Sequence, residues 1–203
     1  MQPRPGPLDL LLVRHAEAVA PDADGFDEAT RPLTGAGARA AEELADELEP
    51  YNLAAIYSSP YRRARDTVQP LAARRGLQVQ ELPDLRERLL SPGATPDWRD
   101  HLERSWADAD YALDGGESGR AAQLRAMAVL DLVRLRHLRG GRVVVASHGN
   151  LISLVLQALE PAVDLDFHLA MPMPAIYHLE HDGVGWRVMG GHGFASAADG
   201  DGA

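Results

Sequence analysis

Short apolar runs alternate with longer amphipathic stretches along this chain. Residues 8–13 (LDLLLV) have the length and apolar density of a buried strand, and they end on the polar pair Arg14-His15. Residues 18–33, with Pro, Gly and clustered carboxylates, read as a surface loop. Thr34 stands where an N-cap belongs, ahead of an Ala/Glu/Leu-rich helix that Pro50 ends. Residues 54–57 predict a second strand, Ser58-Ser59-Pro60 follows, and residues 61–75 predict a helix; residues 77–82 predict a third strand. Residues 83–117 are irregular apart from a short helix near 96–107. Leu124, Ala128, Leu132 and Leu135 mark one face of a long helix over about 118–138. Residues 142–146 (RVVVA) are rich in consecutive β-branched side chains, as a parallel strand covered on both faces would be. Ser147-His148-Gly149 follows, and then a nearly all-apolar helix through residue 159. Residues 176–180 and 185–189 flank Asp182-Gly183 and read as a closing hairpin.

Strand, helix, strand, helix in this order predicts one α/β domain over residues 1–190. Its architecture is a three-layer sandwich, a mostly parallel central sheet with helices on both faces. Residues 191–203, mostly Gly, Ala and Asp, read as a loose tail, and neither a repeat nor a linker divides the chain. At 203 residues the chain is long enough for one large core.

Composition narrows the chemistry. All 20 basic residues are Arg, so a phosphate-loop lysine, a Schiff-base lysine and a lysine base are excluded. The absence of Cys excludes disulfides, thiolate zinc sites and cysteine nucleophiles. A net charge of −10 argues against nucleic acid or an anionic membrane as a general partner. No apolar run suits a secretory signal or a spanning helix, so the chain reads as soluble and cytoplasmic.

Open parallel sheets bind ligands beyond the carboxyl ends of their strands. Three predicted strands end there in groups of one chemical kind: Arg14-His15, Ser58-Ser59-Pro60 with Arg62 and Arg63 beyond, and Ser147-His148. Two histidines and two or three arginines on one sheet edge suit a dianion, most simply a phosphoryl group. Two arginines in the first turn of a helix run against the helix dipole, and Asp66 relieves this only in part. An anion site at that helix start accounts for them better than a solvated face does.

Six segments in order carry a resemblance: Arg14-His15-Ala16; Leu33-Thr34 with Gly37; Ser58-Ser59-Pro60-Tyr61-Arg62-Arg63-Ala64 with Thr67; Leu85-Arg86-Glu87; Gly116-Glu117-Ser118; and Ser147-His148-Gly149. The chain resembles the histidine phosphatase superfamily in its phosphoglycerate-mutase-like branch, with Ala16 where the family's opening motif has Gly. The resemblance implies that His15 attacks phosphorus and carries a phosphohistidine that water then hydrolyses. It implies that Arg14, Arg63 and His148 hold the phosphoryl oxygens, and that Glu87 protonates the leaving oxygen and then activates water. Residues 88–93 (RLLSPG) depart from the aromatic, Gly-rich continuation common in the phosphatase branch, so Glu117 stands as a second candidate for the acid. The implied chemistry needs no metal and no other cofactor.

The expected substrate is a phosphorylated small molecule, with specificity in a variable lid over residues 83–117 and in residues 17–31. A phosphoprotein (phosphohistidine) phosphatase, a non-catalytic phosphate-compound sensor and, more weakly, a phosphoglycerate-type mutase are the other readings. Four motifs are set aside. Gly35-Ala36-Gly37 with Ala40 has dinucleotide-site spacing but follows no strand, and Asp22-Ala23-Asp24-Gly25 lacks the apolar strand an aspartate nucleophile requires. His178 and His181, three apart on a strand, face opposite ways. Trp98 and Trp106 fit one packed helix face or a cap over the pocket. The apolar stretch over 167–176 could form a homodimer interface or close the core.

Overall fold

The structure is a computed structural model, and it describes residues 6–20, 27–93 and 95–194. Six strands form one sheet: β1 (Leu8–Arg14), β2 (Leu53–Ser58), β3 (Val79–Glu81), β4 (Gly141–Ser147), β5 (Ala175–His181) and β6 (Trp186–Gly191), in the order β3-β2-β4-β1-β5-β6. The first four are mutually parallel, and β5 and β6 close the other side as an antiparallel pair. Six helices accompany them: α1 (Gly35–Leu48), α2 (Arg62–Arg75), α3 (Trp98–Ala107), α4 (Gly119–Arg136), α5 (Gly149–Leu159) and α6 (Leu165–Ala170). This is the mostly parallel three-layer sandwich that the alternating pattern predicts.

Strand alternation builds the layers. Leu11, Val13, Ile56, Val144 and Ala146 point to one face and pack on α1 and α2 through Leu44, Leu48, Val68 and Leu71. Leu10, Leu12, Tyr57, Val143 and Val145 point the other way, onto α4 and α5. Val143, Val144, Val145 and Ala146 are all fully buried, so β4 is the covered central strand that its unbroken apolar run required.

Register does the work that matters for function. Arg14 of β1 lies opposite Ser147 of β4, and Ser58 of β2 lies opposite Ala146, so three strand ends stop at one sheet edge. The ladder continues one residue further: the His15 N–H donates to the Ser147 carbonyl at 3.0 Å and the Ser59 N–H to the Ala146 carbonyl at 2.9 Å.

Three expectations need correction. The third strand is only the three residues of β3, because the chain turns at Pro83 into a single 3-10 turn (Pro83–Leu85). Helix α4 buries Ala122, Ala126, Val129, Leu130 and Val133, not the leucine stripe. Leu124, Leu132 and Leu135 are 64%, 40% and 64% exposed. Both faces of α4 carry helix-period apolar residues, and the sheet takes the one whose alanines allow close approach. The sheet also runs past residue 190: β6 ends at Gly191, and the Phe194 ring lies 5.4 Å from Phe167 and 6.1 Å from Tyr177, while residues 195–203 of the expected tail lie outside the described residues.

Urea unfolding of two single variants checks the α4 assignment. Leu130→Ala should cost about 2–5 kcal/mol, and Leu135→Ala should stay within about 0.5 kcal/mol of wild type. Equal losses would mean that the helix is rotated.

Candidate active site

The site forms where β1, β2 and β4 stop. His15 Nδ1 is 2.7 Å from the Ala16 carbonyl oxygen. A carbonyl only accepts, so Nδ1 carries the proton and Nε2 keeps a lone pair. That lone pair receives the Arg63 Nε–H at 3.1 Å. Burial first, and the Arg63 charge second, push the His15 pKa down to about 3. The ring is therefore neutral at ordinary pH, with its nucleophilic nitrogen facing a guanidinium. Beside it, at 5.3 Å between ring centroids, His148 is fully buried, with Nε2 2.7 Å from Ser59 Oγ. Burial and then the Arg63 charge hold its pKa well below the ordinary value of 6.5.

Two arginines complete the anion pocket. Arg14 donates through Nη1 to the Met171 carbonyl, while its buried Nε has no acceptor among the described residues. Its guanidinium lies over Gly149, where a Cβ would come within 2.9 Å of Nε, so glycine opens the start of α5 to this side chain. Arg63 is buried in the first turn of α2. Thr67, one helical turn on, accepts the Ala16 N–H at 2.9 Å and donates to the Arg63 carbonyl at 2.7 Å, locking α2 to the residue after His15. Arg62, by contrast, is half exposed and pairs with Asp66 at 3.2 Å, outside the pocket. The Leu33-Thr34 segment supports the same loop: Thr34 caps α1, its N–H donates to the Glu17 carbonyl at 3.0 Å, and a Cβ on Gly37 would lie 2.0 Å from that oxygen.

Glu87 reaches the site from the lid segment. Ser147 Oγ donates to the Leu85 carbonyl at 2.8 Å and ties this segment to β4. The Glu87 carboxylate accepts the N–H groups of Arg88 (2.9 Å), Leu151 (3.0 Å) and Asn150 (3.2 Å), the last two being free amides of the first turn of α5. Burial raises its pKa, these bonds oppose the rise, and the net direction is upward. Glu117, the second candidate, is held by Arg125 at 2.6 and 2.8 Å and does not line the cavity.

Arg14, His15, Arg63 and Glu87 share a cavity of about 500 Å³. An adjoining cleft of about 440 Å³ is lined by Tyr61, Leu89, Leu90, Pro92 and Trp98. The lid segment thus forms the outer wall. Trp98, 57% exposed, stands at the rim of both spaces, whereas Trp106 stacks on His168 at 5.5 Å. The two tryptophans do not share one packed face.

Three lining residues were not singled out in the sequence, although Glu28 and Arg31 fall within residues 17–31, where specificity is expected. The Glu28 carboxylate receives Arg63 Nη2 at 2.6 Å and both Nε and Nη2 of Arg31 at 2.9 Å, so it fixes two guanidinium groups at once. Both residues sit in a stretch whose composition signals only a loop. His168 comes from α6, far from any motif. Of the motifs set aside, Gly35-Ala36-Gly37 opens α1 behind its Thr34 cap, and residues 22–25 lie outside the described residues. His178 lies 3.4 Å from Asp9, while His181 packs on Trp186 at 5.0 Å. Among the described residues no group of three or more acidic or histidine side chains could hold a metal, and no helix is long and apolar enough to cross a membrane.

The family model described as the histidine phosphatase superfamily (branch 1) matches residues 10–190. The adenosylcobalamin/alpha-ribazole phosphatase of Escherichia coli is 27% identical over 191 residues, 89% of this chain and 88% of that one. A 2,3-bisphosphoglycerate-dependent phosphoglycerate mutase of Bradyrhizobium is 29% identical over 191 residues, 85% and 92% of the two chains. Mycobacterial glucosyl-3-phosphoglycerate phosphatase, solved with inorganic phosphate, superposes with a TM-score of 0.70 at 25% identity, covering 89% of this chain and 95% of that one.

The buried neutral rings set an acid limit to stability. His15 and His168 have folded pKa values of about 3 and about 4, below the ordinary 6.5. Below pH 6.5 the unfolded state therefore binds more protons, and each ring should remove about 1.4 kcal/mol per pH unit until its folded value is reached. Burial raises the Glu87 pKa above the ordinary 4.5, which works in the opposite sense between 4.5 and its folded value. Thermal unfolding from pH 8 to 4.5 should show Tm falling on acidification below about pH 6.5. A Tm that rises over that range would contradict the assigned neutral states.

Proposed function

Because the chain belongs to the histidine phosphatase superfamily, branch 1, we propose that it hydrolyses phosphomonoesters through a phosphohistidine on His15. The observation that carries this reading is the His15 tautomer. Nδ1–H is committed to Ala16, and the Nε2 lone pair faces a cavity where Arg14, Arg63 and Glu87 meet.

In the first step the Arg63 Nε–H turns from Nε2 to a phosphoryl oxygen, the freed Nε2 lone pair attacks phosphorus, the bond to the ester oxygen breaks, and Glu87 gives that oxygen its proton. A carboxyl whose pKa burial has raised is suited to this donation. Arg14 and Arg63 hold the phosphoryl oxygens as charge builds on them, while His148, expected from the sequence to join them, is fully buried beside His15 and does not line the cavity. In the second step the Glu87 carboxylate takes a proton from water, whose oxygen forms the new bond to phosphorus. The P–N bond breaks, phosphate leaves, and Nε2 regains its lone pair. No step requires a metal. The cavity lining sets Leu90, Trp98 and Leu102 beside Arg31 and Arg88, so its outer part mixes apolar and cationic groups.

Turnover of 4-nitrophenyl phosphate with a chelator present is the direct test. His15→Ala should lower it on the order of 10³-fold or more, and retained activity would remove the proposed nucleophile. With an alkyl phosphate, whose leaving oxygen needs a proton, Glu87→Gln should lose about 10²–10⁴-fold. Once the substrate's own ionisation is accounted for, kcat/KM should fall on the alkaline side as Glu87 loses its proton. The His15 pKa of about 3 puts no acid limb above that pH. A Glu87→Gln enzyme that hydrolyses phosphohistidine at the wild-type rate would favour a phosphoprotein substrate, since that leaving nitrogen needs less acid help. Tight phosphate binding without turnover would favour a sensor.

A further inference from the structure

His168 lines the cavity that holds His15 and Arg14, yet the chemistry above gives it no task. Its surroundings fix its tautomer. Ser153 Oγ lies 2.8 Å from the Gly149 carbonyl oxygen and 3.1 Å from His168 Nδ1. The carbonyl can only accept, so the single hydroxyl proton of Ser153 goes to Gly149. The serine oxygen is then an acceptor toward the ring, and Nδ1 must be the donor. His168 Nε2 is left with a lone pair. It has no partner among the described residues, and it is not among the polar atoms sealed in the core without one.

The ring is also held in plane and in place. Trp106 stacks on one side, with planes 24° apart. Asp164 caps α6 by accepting the Phe167 N–H at 2.9 Å, and Phe167 anchors the helix on Tyr177 and Phe194. Burial, and then the Arg14 charge, keep the ring neutral. A rigid neutral imidazole beside the anion pocket presents an acceptor, and an acceptor repels phosphoryl oxygens. The group that suits it is a hydrogen on the part of the substrate that departs.

We propose that His168 is a specificity-determining residue whose free Nε2 accepts a hydrogen bond from a hydroxyl of the leaving group, making esters of polyhydroxylated alcohols the favoured substrates. The inference rests on the phosphatase reading of the same site and deepens it.

Two alkyl esters of similar size test it: glycerol 3-phosphate, which has free hydroxyls, and propyl phosphate, which has none. Wild type should favour the first in kcat/KM by about 10-fold, the worth of one good hydrogen bond. His168→Phe keeps a ring on Trp106 but removes the acceptor, and it should bring that ratio close to one. His168→Gln supplies an amide oxygen and should retain part of the preference. Nitrogen-15 NMR of the imidazoles gives a readout independent of turnover, and should find His168 protonated at Nδ1. A wild-type ratio near one, an equal loss on both esters in His168→Phe, or an Nε2-protonated ring would each overturn the proposal. If wild type fails to hydrolyse even 4-nitrophenyl phosphate, the phosphatase reading itself falls and takes this inference with it.

Discussion

When His15 Nδ1–H donates a hydrogen bond to the Ala16 carbonyl oxygen 2.7 Å away, the opposite ring nitrogen is left as a lone pair, and the rest of the site is arranged around that lone pair. The bond joins two neighbouring residues, so it depends only on the backbone where β1 ends. That backbone is held from two sides, by the His15 N–H on the Ser147 carbonyl and by the Ala16 N–H on Thr67. A protonated ring in the same place would bring a third positive charge between Arg14 and Arg63. Burial does most to keep His15 deprotonated, and the two cations that suit a phosphoryl group reinforce it.

Glu87 shows the same economy in the opposite sense. Its carboxylate meets amides at the start of α5, which favour the charged form, and a buried setting, which favours the neutral one. Burial prevails, and the balance leaves a carboxyl able both to give up a proton and to take one back. The glycine that opens α5 is equally bound to this balance, because the helix start must meet Glu87 on one side and accept the Arg14 guanidinium on the other.

Much of this was legible in the residue order. Arg14, His15, Arg63 and His148 are each placed by the end of a strand or the first turn after it, and strand ends are what apolar runs announce most clearly. The parallel register then brings them together without further information. What could not be read depends on packing between distant segments. The α4 leucines have the correct period, but so does the alanine-containing face beside them, and periodicity does not say which of two stripes meets the sheet. Glu28, Arg31 and His168 carry no local signal. Two lie in a loop and one in a short helix, and only the closed tertiary structure makes them neighbours of the nucleophile.

The hydrogen bond from Ser147 to Leu85 divides the lid segment in two. Upstream of Arg88 the chain is fastened to β4 and to the start of α5, and it carries Glu87. From Leu89 onward it carries the outer wall, including Leu90 and Trp98. The two pieces are adjacent and joined, because the Arg88 side chain reaches the Glu117 carbonyl oxygen and Ser105 Oγ, and Arg125 spans Glu117 and the Glu87 carbonyl. A different outer wall grafted after residue 88 would leave the setting of Glu87 unchanged as long as it kept acceptors for the Arg88 side chain, so insertion and drift there would alter the wall of the cavity before they altered the proposed acid.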